Sequence, residues 1–361
     1  MTGYMKLYTL LREKITRRIY REGEKLPSKR QLADESGYSV ITVEHAYELL
    51  TEEGYVEPRE RSGYYVIYKE GDSYPVAKRE VPFRQTSERV DVERREAGER
   101  DLFPFSAFAR TMRNVLSTSG GKILDPSPNK GCLALREALA AYLARSRHME
   151  VSPEAILIGS GAEYLYGLNV QVLGRNRMYA LENPSYEKIR KVYEAWQVPL
   201  EFLTMGKEGI ETRELEKSHA SVLHVTPFNS YPSGITASAS KRAEYIRWAR
   251  ERQGFIIEDD FDSEFTLLSK PEDTLFSLSP EGPVIYMNSF SKTIAPSIRV
   301  GYLVIPASLL PRYEEKVGFY SCTVPVFDQL VLAEFIRSGQ FERHINRVRR
   351  RRRKMEALRK H

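Results

Sequence analysis

The sequence predicts a multidomain protein in which a small head of three helices and a hairpin precedes a larger α/β body. The chain has 361 residues, of which 41% are hydrophobic, and this length and composition suit two packed cores. Apolar residues at helical spacing and two β-rich runs fill residues 1–68, whereas helical stretches alternate with β-branched runs after residue 100. Such alternation is typical of helices covering both faces of a mostly parallel sheet.

The net charge of +6 is unevenly distributed along the chain. Residues 1–68 carry 11 basic and 11 acidic side chains, while residues 341–361 carry 10 basic and 2 acidic ones. The basic balance is therefore no evidence that the head binds nucleic acid. Two cysteines are too few for a disulfide framework, and no apolar run is long enough to span a membrane. Without a signal peptide, the sequence predicts a cytoplasmic location.

The head begins with an amphipathic helix whose apolar positions run from Leu7 to Ile19. A capping box formed by Ser28 and Gln31 opens a second helix, and a third helix starts at Ser39. Two β-rich runs, 55–56 and 64–67, then flank a polar tip over residues 57–63. Three helices and a hairpin predict a winged helix-turn-helix, in which the third helix enters the DNA major groove. A small helical protein-interaction domain is the alternative that pattern alone leaves open.

The amino-acid sequence of the head resembles that of the GntR-type winged helix. The resemblance rests on LPSKRQLA at 26–33, on Thr42-Val43, and on the later segments EGY at 53–55 and SG at 62–63. It implies that hydroxyl, guanidinium and backbone groups contact DNA. Those residues, with Arg59 added as a further phosphate contact, are Ser28, Arg30, Ser39, Thr42, Arg59, Arg61 and Gly63.

One departure affects the third helix. The family usually has Arg at its start, where this chain has Val40, and Glu44 follows one turn later. A carboxylate repels phosphate and, among the base edges, pairs characteristically with cytosine N4. We therefore expect weak or narrowly specific DNA binding, with arginines supplying most of the phosphate contact.

Residues 69–99 are densely charged and predict a solvated linker, and the body follows over residues 100–361. Ligands bind beyond the carboxyl ends of strands in sheets of this class. Six short runs predict strands, at 156–159, 178–181, 222–225, 255–258, 284–287 and 300–304. Small residues that open a helix follow the first run, carboxylates follow the fourth, and Lys292 follows the fifth.

Pyridoxal 5′-phosphate needs this combination of groups. A lysine amine forms its imine, a carboxylate keeps its ring nitrogen protonated, and Arg, hydroxyl and helix N-terminal groups bind its phosphate. Lys292, Asp259 and Arg299, together with Ser160, Ser289 and Ser291, could fill those roles. Each residue alone is more often an ordinary surface or structural group.

Longer stretches of the body resemble the aminotransferase-like, fold type I domain of MocR regulators, in which a GntR-type head is fused to that domain. They are SFSKTIAPSIRVGY at 289–302, IEDDFDSEF at 257–265, TPFNSYPSG at 226–234, ENPSY at 182–186 and LREAL at 135–139. The resemblance implies an α/β body with a mostly parallel seven-stranded sheet, a homodimer, and bound pyridoxal phosphate. It implies these roles: Lys292 as imine lysine, Asp259 at the ring nitrogen, Tyr186 stacked on the ring, and Arg299, Ser289, Ser291, Ser160, Gly161 and Ala162 around the phosphate.

Three departures from that family concern the site and the end of the chain. Phe261 replaces a Tyr that usually contacts the cofactor, and Asn229-Ser230 replaces the usual His-Gln. The chain also ends where a C-terminal small domain usually follows, so we expect that domain to be absent. The basic run over 349–354 belongs to a connecting helix or, alternatively, to a nucleic-acid-binding tail.

The sequence thus predicts a transcription regulator that binds double-stranded DNA through residues 1–68 and pyridoxal phosphate through its body. A small amine, an amino acid or the cofactor itself would shift the DNA-bound state. Two alternatives remain: a working aminotransferase with a vestigial head, and a truncated regulator that binds DNA without cofactor. No metal site is expected.

Overall fold

The computed structural model describes residues 3–69, 103–266 and 272–359. The chain divides into two compact units, residues 1–90 and 91–361, referred to below as the head and the body. The predicted linker over 69–99 lies, except for Lys69, outside the described residues.

The head contains three helices and one antiparallel hairpin. Its elements are α1 (Gly3–Thr16), α2 (Lys29–Ser36), α3 (Val40–Glu52), β1 (Val56–Arg59) and β2 (Gly63–Val66). One apolar cluster joins them, and Tyr47 is fully buried at its centre, donating a 2.7 Å hydrogen bond to the Pro27 carbonyl. The helices and the hairpin occur in the predicted order.

Two local predictions for the head were wrong in detail. The first helix ends at Thr16, because Arg18 adopts a left-handed φ of 62°, and Ile19 is left 61% exposed outside the helix. The hairpin strand reaches Arg59, so its tip is shorter than the predicted 57–63. Only Val56 of β1 is buried, and an antiparallel pair can leave the rest of a strand at the surface, so the polar residues of this stretch remain in a strand.

The caps of the second and third helices follow the sequence pattern. Ser28 Oγ accepts from Gln31 N at 3.2 Å, and Ser39 Oγ accepts from Thr42 N at 3.2 Å. The Gln31 side chain does not return to Ser28, since its amide donates to Glu35 at 2.9 Å. The capping box is therefore only half formed.

The body places helices on both faces of a single large sheet. Its helices are α4 (Phe105–Ser119), α5 (Leu133–Arg147), α6 (Ala162–Leu173), α7 (Glu187–Ala195), α8 (Thr212–Lys217), α9 (Ala239–Glu251), α10 (Leu275–Leu278), α11 (Phe290–Thr293), α12 (Leu310–Val317), α13 (Val326–Arg337) and α14 (Gln340–Arg359). Its strands are β3 (Ile156–Gly159), β4 (Tyr179–Asn183), β5 (Leu200–Gly206), β6 (Gly209–Ile210), β7 (Val222–Val225), β8 (Phe255–Asp259), β9 (Val284–Ser289) and β10 (Gly301–Val304).

The strand order is β3-β10-β9-β8-β7-β4-β5-β6, and the sheet is mostly parallel as predicted. β10 runs antiparallel to both of its neighbours, and β6 is antiparallel to β5. Among the described residues the sheet has eight strands instead of seven, because a two-residue strand, Gly209–Ile210, pairs beside the edge. The sequence runs did not include β5, whose side chains are mostly accessible and so form no apolar run.

Strand register brings three predicted site segments to the same edge of the sheet. Gly301 pairs with Gly159 on one side and with Ser289 on the other. Asp259, at the end of β8, pairs with Met287 two residues before Ser289. Strand ends that are distant in the sequence therefore lie side by side at the carboxyl edge, where ligands bind in such sheets.

The basic run over residues 349–354 lies within α14, as the connecting-helix interpretation predicted. Arg349 Nε donates to the Glu264 carbonyl at 2.5 Å, and the Arg352 guanidinium lies 4.5 Å from the centre of the Phe265 ring. At least two of these arginines therefore pack against the body. In the described part of the chain, no helix combines the length and hydropathy needed to cross a bilayer.

Candidate functional site

The segment between β3 and α6 forms a narrow turn at the sheet edge. Gly161 caps α6 with a left-handed φ of 91°, a conformation that disfavours residues with a side chain. A Cβ there would also lie 2.6 Å from Arg299 Nη2. Glycine thus permits the Arg299 guanidinium to lie directly beside the N-terminus of α6, where free N–H groups and the helix dipole favour an anion.

Arg299 is already partnered in this arrangement. Its guanidinium pairs with the Glu163 carboxylate, and its Nη1 donates to Ser291 Oγ at 3.5 Å. Burial tends to raise the pKa of Glu163, but hydrogen bonds from its own backbone and from Arg299 hold that pKa below its ordinary value. A phosphate bound here would therefore share the guanidinium with an ionised carboxylate.

The other predicted phosphate residues lie on the neighbouring strand ends. Ser289, the last residue of β9, is buried, whereas Ser291, two residues later, is partly exposed and donates to the Ile298 carbonyl at 3.2 Å. Ser160 and Arg299 also line a cavity of 310 Å³ with an otherwise largely apolar wall. The structure thus brings the predicted phosphate residues of β3, β9 and β10 to one place.

Lys292, in the short helix after β9, contacts a carboxylate that the sequence analysis did not assign. Its Nζ lies 2.8 Å from Asp262 Oδ2 and 4.6 Å from the centre of the Phe261 ring. Asn229, at one of the departures from the family pattern, donates to the same Asp262 oxygen at 2.5 Å. Arg352 Nη1 lies 3.9 Å from the other oxygen. Asp262 therefore joins the loop after β8, the loop after β7 and α14 around the lysine.

Asp259 lies in a separate buried network. Tyr166 of α6 donates to its Oδ2 at 2.5 Å, and His224 Nε2 lies 3.6 Å from the same oxygen. The Tyr193 hydroxyl is 2.7 Å from His224 Nδ1. Burial and the charge of Asp259 keep the pKa of Tyr166 well above its ordinary value, so this phenol remains a donor. Asp259 thus accepts a hydrogen bond from α6, and the His224 ring of β7, itself in contact with Tyr193 of α7, lies beside it.

Sequence reasoning missed these partners of Asp259. A histidine within the apolar run of β7 is a signal that could have identified His224, because a buried imidazole needs a polar partner. Tyr166 had no comparable signal, since a tyrosine on a buried helix face is usually an ordinary core residue.

Tyr186, the predicted stacking residue, lies edge to face against Tyr231 with ring centres 5.7 Å apart.

Behind the site, the opposite face of the sheet buries a second charged group. Arg147 Nη2 lies 2.9 Å from Asp260 Oδ2, which also accepts from the Tyr286 hydroxyl at 2.7 Å. Burial raises the pKa of Glu258 to about 8 and that of Glu264 to about 7. Adjacent residues of the motif at 257–265 therefore face opposite sides of the sheet.

The predicted DNA-contact residues of the head are all at its surface or at its turns. Ser28 and Ser39 use their hydroxyl groups as helix caps, while Arg30 and Arg61 are exposed. Arg59 pairs with Glu57 at 2.7 Å and lies 4.3 Å from the centre of the Tyr65 ring, so it is partly engaged. The structure also places Thr42 on the first turn of α3 and Gly63, with φ of 122°, after the hairpin tip.

Glu44, which the sequence analysis treated as a free repulsive charge, is paired with Lys29 of α2. Hydrogen bonding and charge from Lys29 lower the pKa of Glu44, so the Glu44 carboxylate remains ionised and its charge is neutralised by Lys29.

In the described part of the chain, no group of three His, Cys, Asp or Glu side chains could hold a metal ion.

Comparisons with known families give two matches that follow the division of the chain. The model for bacterial regulatory proteins of the gntR family matches residues 4–66. The model for aminotransferase class I and II matches residues 97–361.

Individual relatives combine both regions. An HTH-type transcriptional regulator of Bacillus subtilis, YdeL, is 35% identical, over 98% of this chain and 78% of that protein. The probable rhizopine catabolism regulatory protein MocR of Rhizobium meliloti is 27% identical, over 96% of this chain and 74% of that protein. The structure of the α-aminoadipate aminotransferase LysN of Thermus thermophilus, complexed with N-(5′-phosphopyridoxyl)-L-leucine, is similar with a TM-score of 0.62 and 27% identity. That similarity covers 69% of this chain and 64% of the aminotransferase.

Proposed function

This chain belongs to the MocR-type HTH transcriptional regulators, which join a GntR domain to an aminotransferase-like domain, and on that premise we propose that it binds double-stranded DNA through its head and pyridoxal phosphate through its body. The effector is the cofactor itself or a small amine or amino acid that condenses with it. The domains extend over residues 1–68 and 100–361, and the protein acts in the cytoplasm.

The observation that carries the cofactor proposal is the meeting of three chemical groups at one sheet edge. Register aligns Gly159, Gly301 and Ser289, so the α6 N-terminus with Arg299 and the β9 end with Lys292 are neighbours. The close approach of Arg299 to Gly161 suits a dianion, which needs both a guanidinium and free N–H groups. This donor set fits a pyridoxal phosphate.

In this proposal each residue has a defined task. Arg299, Ser289, Ser291 and the turn over 160–162 hold the phosphate, Tyr186 covers the ring, and Lys292 provides the amine for covalent attachment. The Asp259 carboxylate accepts a hydrogen bond from the protonated ring nitrogen, the Tyr166 hydroxyl orients that carboxylate, and the His224 ring packs beside it. When bound, the cofactor supplies an aldehyde that captures primary amines and a ring that withdraws electrons.

Attachment requires Lys292 to leave its ion pair. The amine lies 2.8 Å from Asp262, and a protonated amine paired with a carboxylate is not a nucleophile. Asp262 is positioned to take up the proton that Lys292 loses. Phe261 contributes only its ring face to the lysine, so contact with the cofactor's phenolic oxygen has to come from another group.

Absorption spectroscopy of the full chain tests the cofactor proposal. We expect pyridoxal phosphate to produce a visible band that borohydride removes, and we expect Lys292→Ala to abolish it. Lys191→Ala is the matched control, because Lys191 is an exposed lysine paired with Glu187 on α7. A full chain that is colourless once unbound cofactor has been removed, or a protein-bound band that survives in Lys292→Ala, would contradict the proposal. In the first case the truncated-regulator alternative would hold.

Amino-donor turnover tests the enzyme alternative. A regulator is expected to capture an amine without releasing product repeatedly, because sensing requires only a lasting change of state. Steady turnover by the full chain, abolished in Lys292→Ala, would favour an aminotransferase. Binding of a selected duplex should be measured on the same preparation.

The DNA proposal rests on the GntR match and on the exposed cations of the head. Arg30 and Arg61 are solvent-accessible, and phosphate contacts by such groups release counterions. The dissociation constant of the full chain for duplex DNA should therefore rise with salt, with a log–log slope of several units. A slope near zero would remove the electrostatic basis for DNA binding.

A homodimer joined through the bodies is the proposed assembly. Large apolar side chains remain exposed on the body at and after α4, including Phe105, Leu116 and Leu124. Exposed apolar patches of this kind mark association surfaces. Sedimentation equilibrium should give twice the chain mass, and Leu124→Glu should weaken the dimer.

A further inference from the structure

The outer face of α3 begins with two aliphatic side chains. Val40 and Ile41 are 42% and 65% exposed, although branched aliphatic residues are usually buried. They lie in the first helical turn directly after the Ser39 cap. The inner face of the same helix packs Val43, Ala46 and Tyr47 into the head core. A large part of both residues is therefore open to a partner.

The polar groups around this turn are engaged with one another. The Ser39 and Thr42 hydroxyl groups are 2.8 Å apart, and Ser39 Oγ also accepts the Thr42 N–H. Glu44, one turn after Val40, is held by Lys29. What this turn presents to a partner is thus mainly the two aliphatic side chains.

Charge indicates which part of α3 a polyanion can approach. Lys29 and Arg30 begin the neighbouring helix α2 beside this turn. Glu48 and Glu52 are exposed in the second half of α3, where phosphate would be repelled. A duplex is therefore complementary to the N-terminal turn, which is also the part of a recognition helix that contacts base edges.

Only one apolar group is displayed by the base pairs in the major groove, the C5-methyl group of thymine. A guanidinium at this position would favour guanine, whereas branched aliphatic side chains exclude water from a methyl group and offer no hydrogen bond. The two exposed aliphatic side chains are therefore complementary to the methyl group of thymine.

We propose that Val40 and Ile41 are specificity-determining residues that read thymine methyl groups in the DNA site. The proposal rests on DNA binding by the head, as proposed above. It predicts a site in which at least one thymine per half-site is required for its methyl group alone. Glu44 contributes little to base selection, because its carboxylate is already paired with the Lys29 ammonium group.

The test uses the full chain and duplexes selected from a random double-stranded library. Each thymine of the bound consensus is then replaced in turn by deoxyuridine, which keeps every hydrogen-bonding group and removes only the methyl. We expect at least one position per half-site at which deoxyuridine weakens binding about fourfold, the effect of one methyl group withdrawn from apolar contact. Equal affinity at every position would overturn the inference while leaving DNA binding intact.

Variants assign the effect to the two residues. In Val40→Ala and Ile41→Ala the thymine-to-deoxyuridine ratio should fall towards one at the sensitive position. Leu10→Ala is the matched control, because Leu10 is an aliphatic residue on α1 that is 49% exposed, and it should keep the full ratio. A loss of affinity that is equal for both bases in the α3 variants would contradict base reading. If the library yields no bound duplex, the proposed DNA function fails, and this inference fails with it.

Discussion

The head and the body use polar side chains in different ways. In the head, the described polar contacts are mostly local or at the surface, such as the caps Ser28–Gln31 and Ser39–Thr42. In the body, contacts connect residues far apart in sequence and largely buried, such as Tyr166 with Asp259. The comparison teaches that a contiguous motif can locate the function of the head, whereas the site of the body exists only once the sheet has formed.

Their cores differ in the same way. Within residues 3–69, the fully buried side chains are apolar or tyrosine, whereas the body buries Arg147, Asp260, Glu258 and Glu264. Burying charge is costly unless each group has a partner. The head should therefore respond mainly to changes in apolar packing, and the body to changes in buried charge.

The largest expected effect is on the buried ion pair of the body. Arg147→Met leaves Asp260 charged, buried and without its cation, because the pair is 2.9 Å apart and almost wholly inaccessible. The free energy of unfolding of the body should fall by about 3–5 kcal/mol. Chemical denaturation of the full chain measures this change. The double variant Arg147→Met/Asp260→Asn should recover part of the loss, and a change below about 1 kcal/mol in the single variant would contradict the account.

A change of similar but smaller size should affect the head through packing. Tyr47→Ala removes a fully buried ring at the centre of the head core and should cost about 3–4 kcal/mol. Tyr47→Phe loses only the hydrogen bond to the Pro27 carbonyl, worth about 1 kcal/mol. Circular dichroism during denaturation should show the transition of the head shifting while that of the body stays unchanged. A shift of the body transition would mean that the two units do not unfold independently.

The two units should also differ in their response to pH. Burial raises the pKa of Glu258 and of Glu182 to about 8, well above the value in the unfolded chain. The folded body therefore binds more protons than the unfolded one between about pH 5 and 8, so its stability falls as the pH rises through that window. Chemical denaturation of the full chain at several pH values measures this fall, and Glu258→Gln should reduce it.

The stability of the head changes with pH in the opposite direction. The pKa of Glu44 is lowered by Lys29, so this pair stabilises the head above pH 4.5 and loses its effect as the pH falls below the unfolded-state value. Between pH 5 and 8 the transition of the head should stay almost constant. Equal pH slopes for the two transitions would contradict the contrast between local and buried charge.

The smallest effect on stability is expected at the surface pair of the head. Lys29→Ala should scarcely move the unfolding transition, because exposed ion pairs contribute little. It should, however, weaken DNA binding, since a cation is lost and Glu44 becomes an uncompensated negative charge. The slope of log Kd against log salt should decrease by about one. Lys69→Ala, which removes an exposed lysine paired with Glu22, is the control and should change neither quantity.

Features that depend on neighbouring residues were predictable from the sequence, whereas features that depend on distant residues were not. The caps Ser28 and Ser39 and the strand runs of the body were found by local pattern, because each depends on neighbours a few residues away. The end of α1 was missed because it depends on the left-handed conformation of Arg18, which no apolar spacing reveals. The antiparallel direction of β10 depends on its pairing with the distant strand β3, whereas β6 is a two-residue strand in a tight hairpin with β5 and is too short to show a pattern.

The candidate site was predictable as a set of residues but not as a set of contacts. The sequence analysis named Lys292, Asp259 and Arg299 for the chemistry that a cofactor requires. Which carboxylate lies beside Lys292 could not be deduced, since Asp259 and Asp262 are three residues apart and β8 ends between them. Once the strand ends, the chain turns, and side-chain direction no longer follows the period of two.

The proposed regulator requires that the state of the body site alter DNA binding by the head. The measurement is the Kd of the full chain for a selected duplex at fixed salt, without cofactor, with pyridoxal phosphate, and with cofactor plus a panel of amines and amino acids. We expect at least a fivefold change in Kd under one of these conditions, and no change in Lys292→Ala. The same Kd under every condition, for a protein whose absorbance shows bound cofactor, would contradict it.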